Sequence, residues 1–236
     1  LDLETSDLVR NYMLMGCSMA EQKTLYEDYW LPMERVLGNL SFDVFLHDWM
    51  VVTLKKPVLK GRVMYAEFKR FAADSSLLRM ERTRNLLANM LEYAKYYAAI
   101  KGVAAAGSGD MNVDRRLESI QKLVSTVTDP LVMDMFAAWK RDRVSCDGLL
   151  RMLADLESYL FRRMICSVSS NGLNKLVPSL IAKLESAEHD LVETFAALLL
   201  TETAKATRMP TDEQFRQALL GEDLYRPAQI GRASCR

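Results

Sequence analysis

The chain has 236 residues, of which 50% are hydrophobic and 26% charged, a balance typical of a globular protein with a buried core. The 31 Lys and Arg residues equal the 31 Asp and Glu residues in number, so no global field attracts nucleic acid or anionic lipid. The longest purely apolar run, 195–200, is far shorter than the roughly 20 residues that cross a bilayer. This excludes a membrane helix and leads us to expect a cytoplasmic protein.

The cysteines of the chain indicate its redox compartment, and its first residues bear on whether it is part of a longer polypeptide. Cys17, Cys146, Cys166 and Cys235 lie far apart in the sequence, and no two of them have the spacing of a metal or redox motif. Reduced thiols in a reducing compartment are expected. The chain begins with Leu1 and has no basic and then apolar segment of a signal peptide. We therefore expect it to be a piece of a longer polypeptide.

Apolar residues recur every three or four positions along nearly the whole chain, which predicts an all-α fold, a multi-helix bundle of about ten helices. Thr5 or Ser6 is expected to cap the first helix, and Ser18 with Glu21 has the form of a capping box for the second. Further helices are predicted near 41–54, from about 64, and at 75–100, 113–127, 129–142, 149–168, 173–184, 191–206 and from about 211.

Glycine and small residues at 102–112 have the composition of a flexible connection. We therefore predict two helical subdomains, 1–101 and 113–225, joined by this linker. The final segment, 226–236, has no helical period, and it is predicted to be a disordered or non-native tail.

The two histidines each precede an aspartate, at His47 and Asp48 and at His189 and Asp190. All-helical metal-dependent hydrolases use such pairs with one more histidine and a further aspartate, and the additional histidine is absent from this sequence. The helical period places His47 opposite the apolar face of its helix, which predicts a solvated side chain. A metal hydrolase is therefore the weakest of the functional alternatives.

Basic residues cluster in the predicted loop after residue 54, at Lys55, Lys56, Lys60 and Arg62. This cluster has fewer acidic neighbours in the sequence than the other basic clusters, so it is our candidate for contact with a DNA backbone. Arg162 and Arg163 form a second basic cluster, just before a predicted helix break at 169–172. Asn171 and Gly172 suit a left-handed cap at that break.

Several strings occur in a characteristic order across residues 1 to about 225. They are LDLETSDLVRNYMLM, YEDYWLPME, YAEFK, LESYLFRRMIC, NGLNK and PTDEQF. In this order they resemble the helical region of GmrSD-type restriction endonucleases, a bacterial family that joins a ParB-like nucleotide-hydrolysing domain to an HNH nuclease domain.

The resemblance implies a parent protein that cuts foreign, often base-modified, DNA and that uses a nucleotide and a divalent metal. The DGQQR motif of that family would lie before Leu1 and its HNH histidines after Tyr225, so no catalytic, cofactor or metal residue is assigned to this chain. The linking segment of the family maps onto Arg162, Arg163, Asn171, Gly172 and Asn174. The resemblance makes these residues candidates for contact with DNA or with the flanking domains.

Two readings of the function therefore stand beside the metal hydrolase. In the first, the chain is a helical scaffold between two catalytic domains, without activity of its own. In the second, it is a freestanding interaction module, a homodimer formed through an exposed apolar stripe.

Overall fold

The computed structural model describes residues 4–73, 79–103, 107–123, 126–188 and 190–221, and within them it shows an all-α protein without strands. The prediction of an all-α multi-helix fold is confirmed. The α-helices are α1 (Thr5–Leu14), α2 (Met19–Leu25), α3 (Leu31–Leu37), α4 (Phe42–Leu54), α5 (Arg62–Ala73), α6 (Arg79–Ile100), α7 (Met111–Lys122), α8 (Asp129–Lys140), α9 (Cys146–Ile165), α10 (Leu173–Glu185), α11 (Leu191–Thr201) and α12 (Asp212–Gly221).

Short-range sequence signals set several helix starts. Ser18 caps α2 by accepting the Glu21 N–H, while the Glu21 carboxylate accepts the Ser18 N–H, so the predicted capping box is confirmed. Ser41 caps α4 in the same way, through the Val44 N–H. Just before Pro32, one π-helical turn at Tyr26–Trp30 joins α2 to α3.

The first helix is capped from elsewhere in the chain. The structure places Glu4, not Thr5 or Ser6, at its N-cap, and the Glu4 side chain makes no capping hydrogen bond. Instead, the Asp43 carboxylate accepts the backbone N–H groups of Thr5 and Ser6 at 3.1 and 2.7 Å. The predicted caps are therefore wrong, because a side chain at the start of α4 satisfies these donors.

The buried apolar side chains form one group that runs from Val9 to Leu199 and includes residues on both sides of 102–112. Across that segment, α6 packs on α7 and α8, and α4 packs on α8 and α10. Within the segment, Ser108 is buried, and its carbonyl accepts a hydrogen bond from the Lys140 ammonium at 2.9 Å. The described part of the predicted linker is thus fastened to α8, and the division into subdomains stays a prediction.

The predicted tail at 226–236 lies outside the described residues. Among the residues that are described, no helix is long and apolar enough to cross a membrane.

Candidate functional site

Arg163 lies inside the protein, at the end of α9. Only 3% of the residue is exposed, and its Nη2 donates hydrogen bonds to the carbonyls of Ser169 and Ala206 at 2.7 and 3.0 Å. Its guanidinium stands over the ring of Tyr159, whose hydroxyl donates to the carbonyl of Thr207. Because the guanidinium is buried, the predicted contact of Arg163 with DNA or a flanking domain is replaced by an internal one.

Arg162 points to α12 instead. Its Nη1 lies 2.7 Å from the Asp212 carboxylate, and the guanidinium stands 5.0 Å from the centre of the Phe215 ring. The arginine side chain is 24% exposed and the aspartate side chain 82% exposed, so solvent screens this ion pair. The ring of Phe215 also packs edge-on against Phe161 of α9. Arg162 therefore helps to hold the last described helix on the bundle.

The break between α9 and α10 is a short 3₁₀ turn at Ser170–Gly172. Gly172 has a φ of −65°, so the predicted left-handed cap is wrong, and the left-handed residue is Ser167 with a φ of 52°. Glycine is nevertheless required at position 172, because there is no room for a side chain. A Cβ atom at Gly172 would lie 2.6 Å from the backbone oxygen of Ala206, far inside van der Waals contact. Asn171 and Asn174 are exposed.

The structure places Lys55, Lys56 and Lys60 in the basic loop between α4 and α5, and Arg62 at the first position of α5. Two of these four cations are paired with acids from other helices. The Lys55 ammonium contacts the Glu185 carboxylate on α10, and Lys56 lies 3.3 Å from Glu67 on α5. Lys60 and Arg62 are exposed and have no ion pair among the described residues. Of the four cations, these two are the ones without an acidic partner in the part of the chain that the structure describes.

The loop also covers a pocket of about 360 Å³ that lies against α4, α8 and α10. This pocket brings together two of the predicted contact residues, Lys60 and Asn174, which are far apart in the chain. Its remaining polar lining includes His47 and Asp48, and its apolar walls include Val44, Val51, Val58, Pro130, Val177 and Pro178.

His47 is 19% exposed, so the predicted solvated side chain is wrong. Its Nε2 lies 3.1 Å from the Val58 carbonyl, and its Nδ1 lies 2.9 Å from Oδ1 of Asp48. A carbonyl only accepts, so Nε2 carries a hydrogen, and the bond to Asp48 requires one further proton on either partner. The histidine and aspartate pair is therefore neutral as a unit. The helical period failed here because the loop folds over this face of α4.

Asp48 is 4% exposed, and its second carboxylate oxygen, Oδ2, has no hydrogen-bond partner among the described residues. Burial raises the pKa of this carboxyl group, and the hydrogen bond from His47 opposes that rise. An unpartnered buried acceptor is uncommon in folded proteins, and it calls for an explanation.

Next to Asp48 lies a buried ion pair between α8 and the end of α6. Thr128 is the N-cap of α8, and Asp129 is its first helical residue. Its carboxylate, 2% exposed as a side chain, contacts the Lys101 ammonium, and Gln121 bonds to both of them at 3.2 and 3.4 Å. Burial raises the pKa of Asp129 to about 6, against the favourable charge of Lys101. Sequence reasoning missed this pair because its partners are 28 positions apart.

The residues proposed for a metal hydrolase have other contacts. His189 lies outside the described residues, and the Asp190 carboxylate caps α11 by accepting the N–H groups of Val192 and Glu193. Within the described ranges, no group of three or more His, Cys, Asp or Glu side chains is placed to hold a metal ion.

Comparison of the chain with known protein families, with curated proteins and with solved structures gives no match.

Proposed function

We propose that this chain is the helical connecting segment of a GmrSD-type restriction endonuclease. In this role it holds a nucleotide-hydrolysing domain and an HNH nuclease domain in register, and it contacts the DNA backbone. The proposal starts from the order of the strings that resemble that family, and it is supported by where those strings lie in the fold.

The observation that carries the proposal is that two of the strings contact the segment 206–212, which includes the start of a third string. Arg163, from LESYLFRRMIC, donates to the carbonyl of Ala206, and Gly172, from NGLNK, packs against the same carbonyl. Arg162 is paired with Asp212, from PTDEQF. Strings that resemble a family only by their order along the chain thus meet in space, as expected if they form one shared structural unit.

The first two strings are connected in the same way. Arg10, from LDLETSDLVRNYMLM, lies 3.6 Å from Glu34, at the end of YEDYWLPME. The Glu34 carboxylate also accepts hydrogen bonds from the Trp30 indole at 2.9 Å and from the Tyr26 hydroxyl at 3.3 Å. These string residues are engaged in holding helices together, which suits a scaffold.

The last helix offers a surface for a neighbouring domain. α12 packs on α9, and Leu219 and Leu220 on α12 are 37% and 84% exposed. Met164 on α9 is 47% exposed as well. Such apolar exposure is typical of a surface that another domain covers, and under this proposal the nuclease domain covers it.

The direct test is to sequence the gene on both sides of this segment. We expect an upstream DGQQR motif and downstream HNH histidines in the same reading frame. A continuous gene that lacks both motifs would refute the proposal and would favour the freestanding interaction module.

The DNA contact is tested separately on the purified chain. We expect weak binding to duplex DNA at low salt, through Lys60 and Arg62, that falls steeply as salt is added. Replacing both by glutamine should lower the slope of log affinity against log salt by about two. The matched control replaces Arg70 and Lys175, which are also exposed, and it should leave the slope unchanged. Equal effects of the two double variants would exclude this loop as the DNA contact.

A further inference from the structure

The pocket between the basic loop, α4 and α10 is lined by a buried carboxylate residue, one oxygen of which nothing in the described structure satisfies. Asp48 is 4% exposed and lines the pocket, and its Oδ2 atom has no hydrogen-bond partner among the described residues. A buried acceptor without a donor costs free energy that the fold must offset. A ligand with an N–H or O–H group would remove that cost.

The charges around the pocket determine which kind of donor fits. The pair of His47 and Asp48 is neutral as a unit, because the bond between them holds one proton. Behind Asp48, the charges of Lys101 and Asp129 cancel each other. The remaining charge on the lining is the Lys60 ammonium, which is exposed and has no ion pair in the described part of the chain. A cation would be repelled by this lysine, whereas an anion would be attracted to it.

The walls between these two ends are apolar. Val44, Val51, Val58, Val177 and Pro178 contribute to them. Pockets that bind small molecules have this composition, with mostly hydrophobic walls and a few polar groups that fix the orientation of the ligand. The volume of about 360 Å³ is within the range of such pockets.

We propose that this pocket binds a small organic anion whose apolar body lies against the valine and proline walls. One end of the ligand donates an N–H or O–H hydrogen bond to Asp48 Oδ2, and the negative group at the other end lies beside Lys60. This site does not depend on the proposed connecting role, and it would exist equally in a freestanding protein.

The test uses three probes of similar size on the whole chain, followed by amide chemical shifts in NMR titrations. The first probe is para-hydroxybenzoate, which has both the donor and the anion. Benzoate lacks the donor, and para-hydroxybenzyl alcohol lacks the anion. We expect para-hydroxybenzoate to shift resonances of the pocket lining and each of the other two to bind about tenfold more weakly.

Two variants locate the binding. Asn174→Trp places a large ring at the mouth of the pocket, and Asn171→Trp is its control, because Asn171 is also exposed but does not line the pocket. Binding of para-hydroxybenzoate should be lost in the first variant and kept in the second. Asp48→Asn should keep binding within about threefold, since its amide can donate to His47 and leave its oxygen as the free acceptor.

Three results would overturn the proposal. The first is that no probe shifts the lining resonances at concentrations up to about 10 mM. The second is that the three probes bind equally well, which would mean that neither the donor nor the anion is recognised. The third is that the two tryptophan variants bind para-hydroxybenzoate equally, which would place the binding elsewhere.

Discussion

Replacing Lys101 by methionine should destabilise the protein by an amount that depends on pH. The variant keeps the apolar stem of the side chain but removes the charge that faces Asp129, which is 2% exposed as a side chain. Removing one partner of a buried ion pair typically costs about 3–5 kcal/mol, because the other charge is left uncompensated. At pH 7.5 we expect a loss of this size in the free energy of unfolding.

The pH dependence follows from the pKa of Asp129. Burial raises this pKa to about 6 from an ordinary 3.8, so the folded state binds the proton more tightly than the unfolded state does. Stability is therefore lost as the pH rises from about 4 through the folded pKa. Without Lys101 the folded pKa is higher still, and the loss continues to a higher pH at about 1.4 kcal/mol per pH unit. At pH 5 the carboxyl group of the variant is neutral, and the cost should fall below about 2 kcal/mol.

The assay is urea denaturation followed by far-ultraviolet circular dichroism at both pH values. Combining Lys101→Met with Asp129→Leu should recover the stability of the wild type, since apolar residues often replace a buried ion pair without loss. The matched control is Lys122→Met, because Lys122 pairs with Glu118 where both side chains are about 70% exposed. That control should cost less than about 1 kcal/mol. An equal cost for the two lysine variants, or a cost independent of pH, would refute the reasoning.

Three further predictions concern single side chains. Burial raises the pKa of Asp134 to about 6. In urea titrations, Asp134→Asn should therefore gain stability relative to the wild type as the pH rises from 4 to 7, by at most about 3 kcal/mol. An unchanged difference in stability between the two proteins across this range would contradict the prediction. Gly172→Ala should lower stability by about 1–3 kcal/mol through its clash with a backbone oxygen, whereas Gly221→Ala, whose Cβ meets nothing within 4 Å, should be nearly neutral by the same measurement. Asp43→Ala should cost about 1 kcal/mol and should speed hydrogen exchange at the start of α1; unchanged exchange would show that the cap does not matter.

The helices were predictable because their signals are local. The hydroxyls of Ser18 and Ser41 reach N–H groups three residues away, and nothing distant is needed to place those helix starts. The apolar spacing is a local signal as well, and residues that follow it on α4, such as Phe45 and Trp49, are fully buried. Hydrophobic periodicity therefore fixes the fold class, although not which helices pack together.

The candidate sites were less predictable because their partners are distant in sequence. The carbonyl bound by Arg163 belongs to Ala206, 43 positions away. The acid that neutralises Lys55 is Glu185, on another helix. A basic residue with no acidic residue nearby in the sequence therefore gave no sign of an ion pair, although the fold brings an acidic side chain next to it. Lys60 has no ion pair among the described residues, and the sequence could not show this difference from Lys55.

Buried polar groups whose partners are distant in the sequence could not be predicted from it. They are also the best places to look for a functional site. Lys101 and Asp129 satisfy each other, and Arg163 bonds two carbonyls, so stability alone accounts for most of their polar atoms. Three buried side-chain atoms have no hydrogen-bond partner among the described residues, namely Arg163 Nη1, Glu67 Oε2 and Asp48 Oδ2. Of these three residues, Asp48 lines the pocket beside Lys60, and its other oxygen is bonded to His47. Folding alone favours a leucine or an asparagine at such a position over a half-satisfied carboxylate. The unsatisfied oxygen, next to a pocket with a lysine at its mouth, is therefore better explained by binding than by packing.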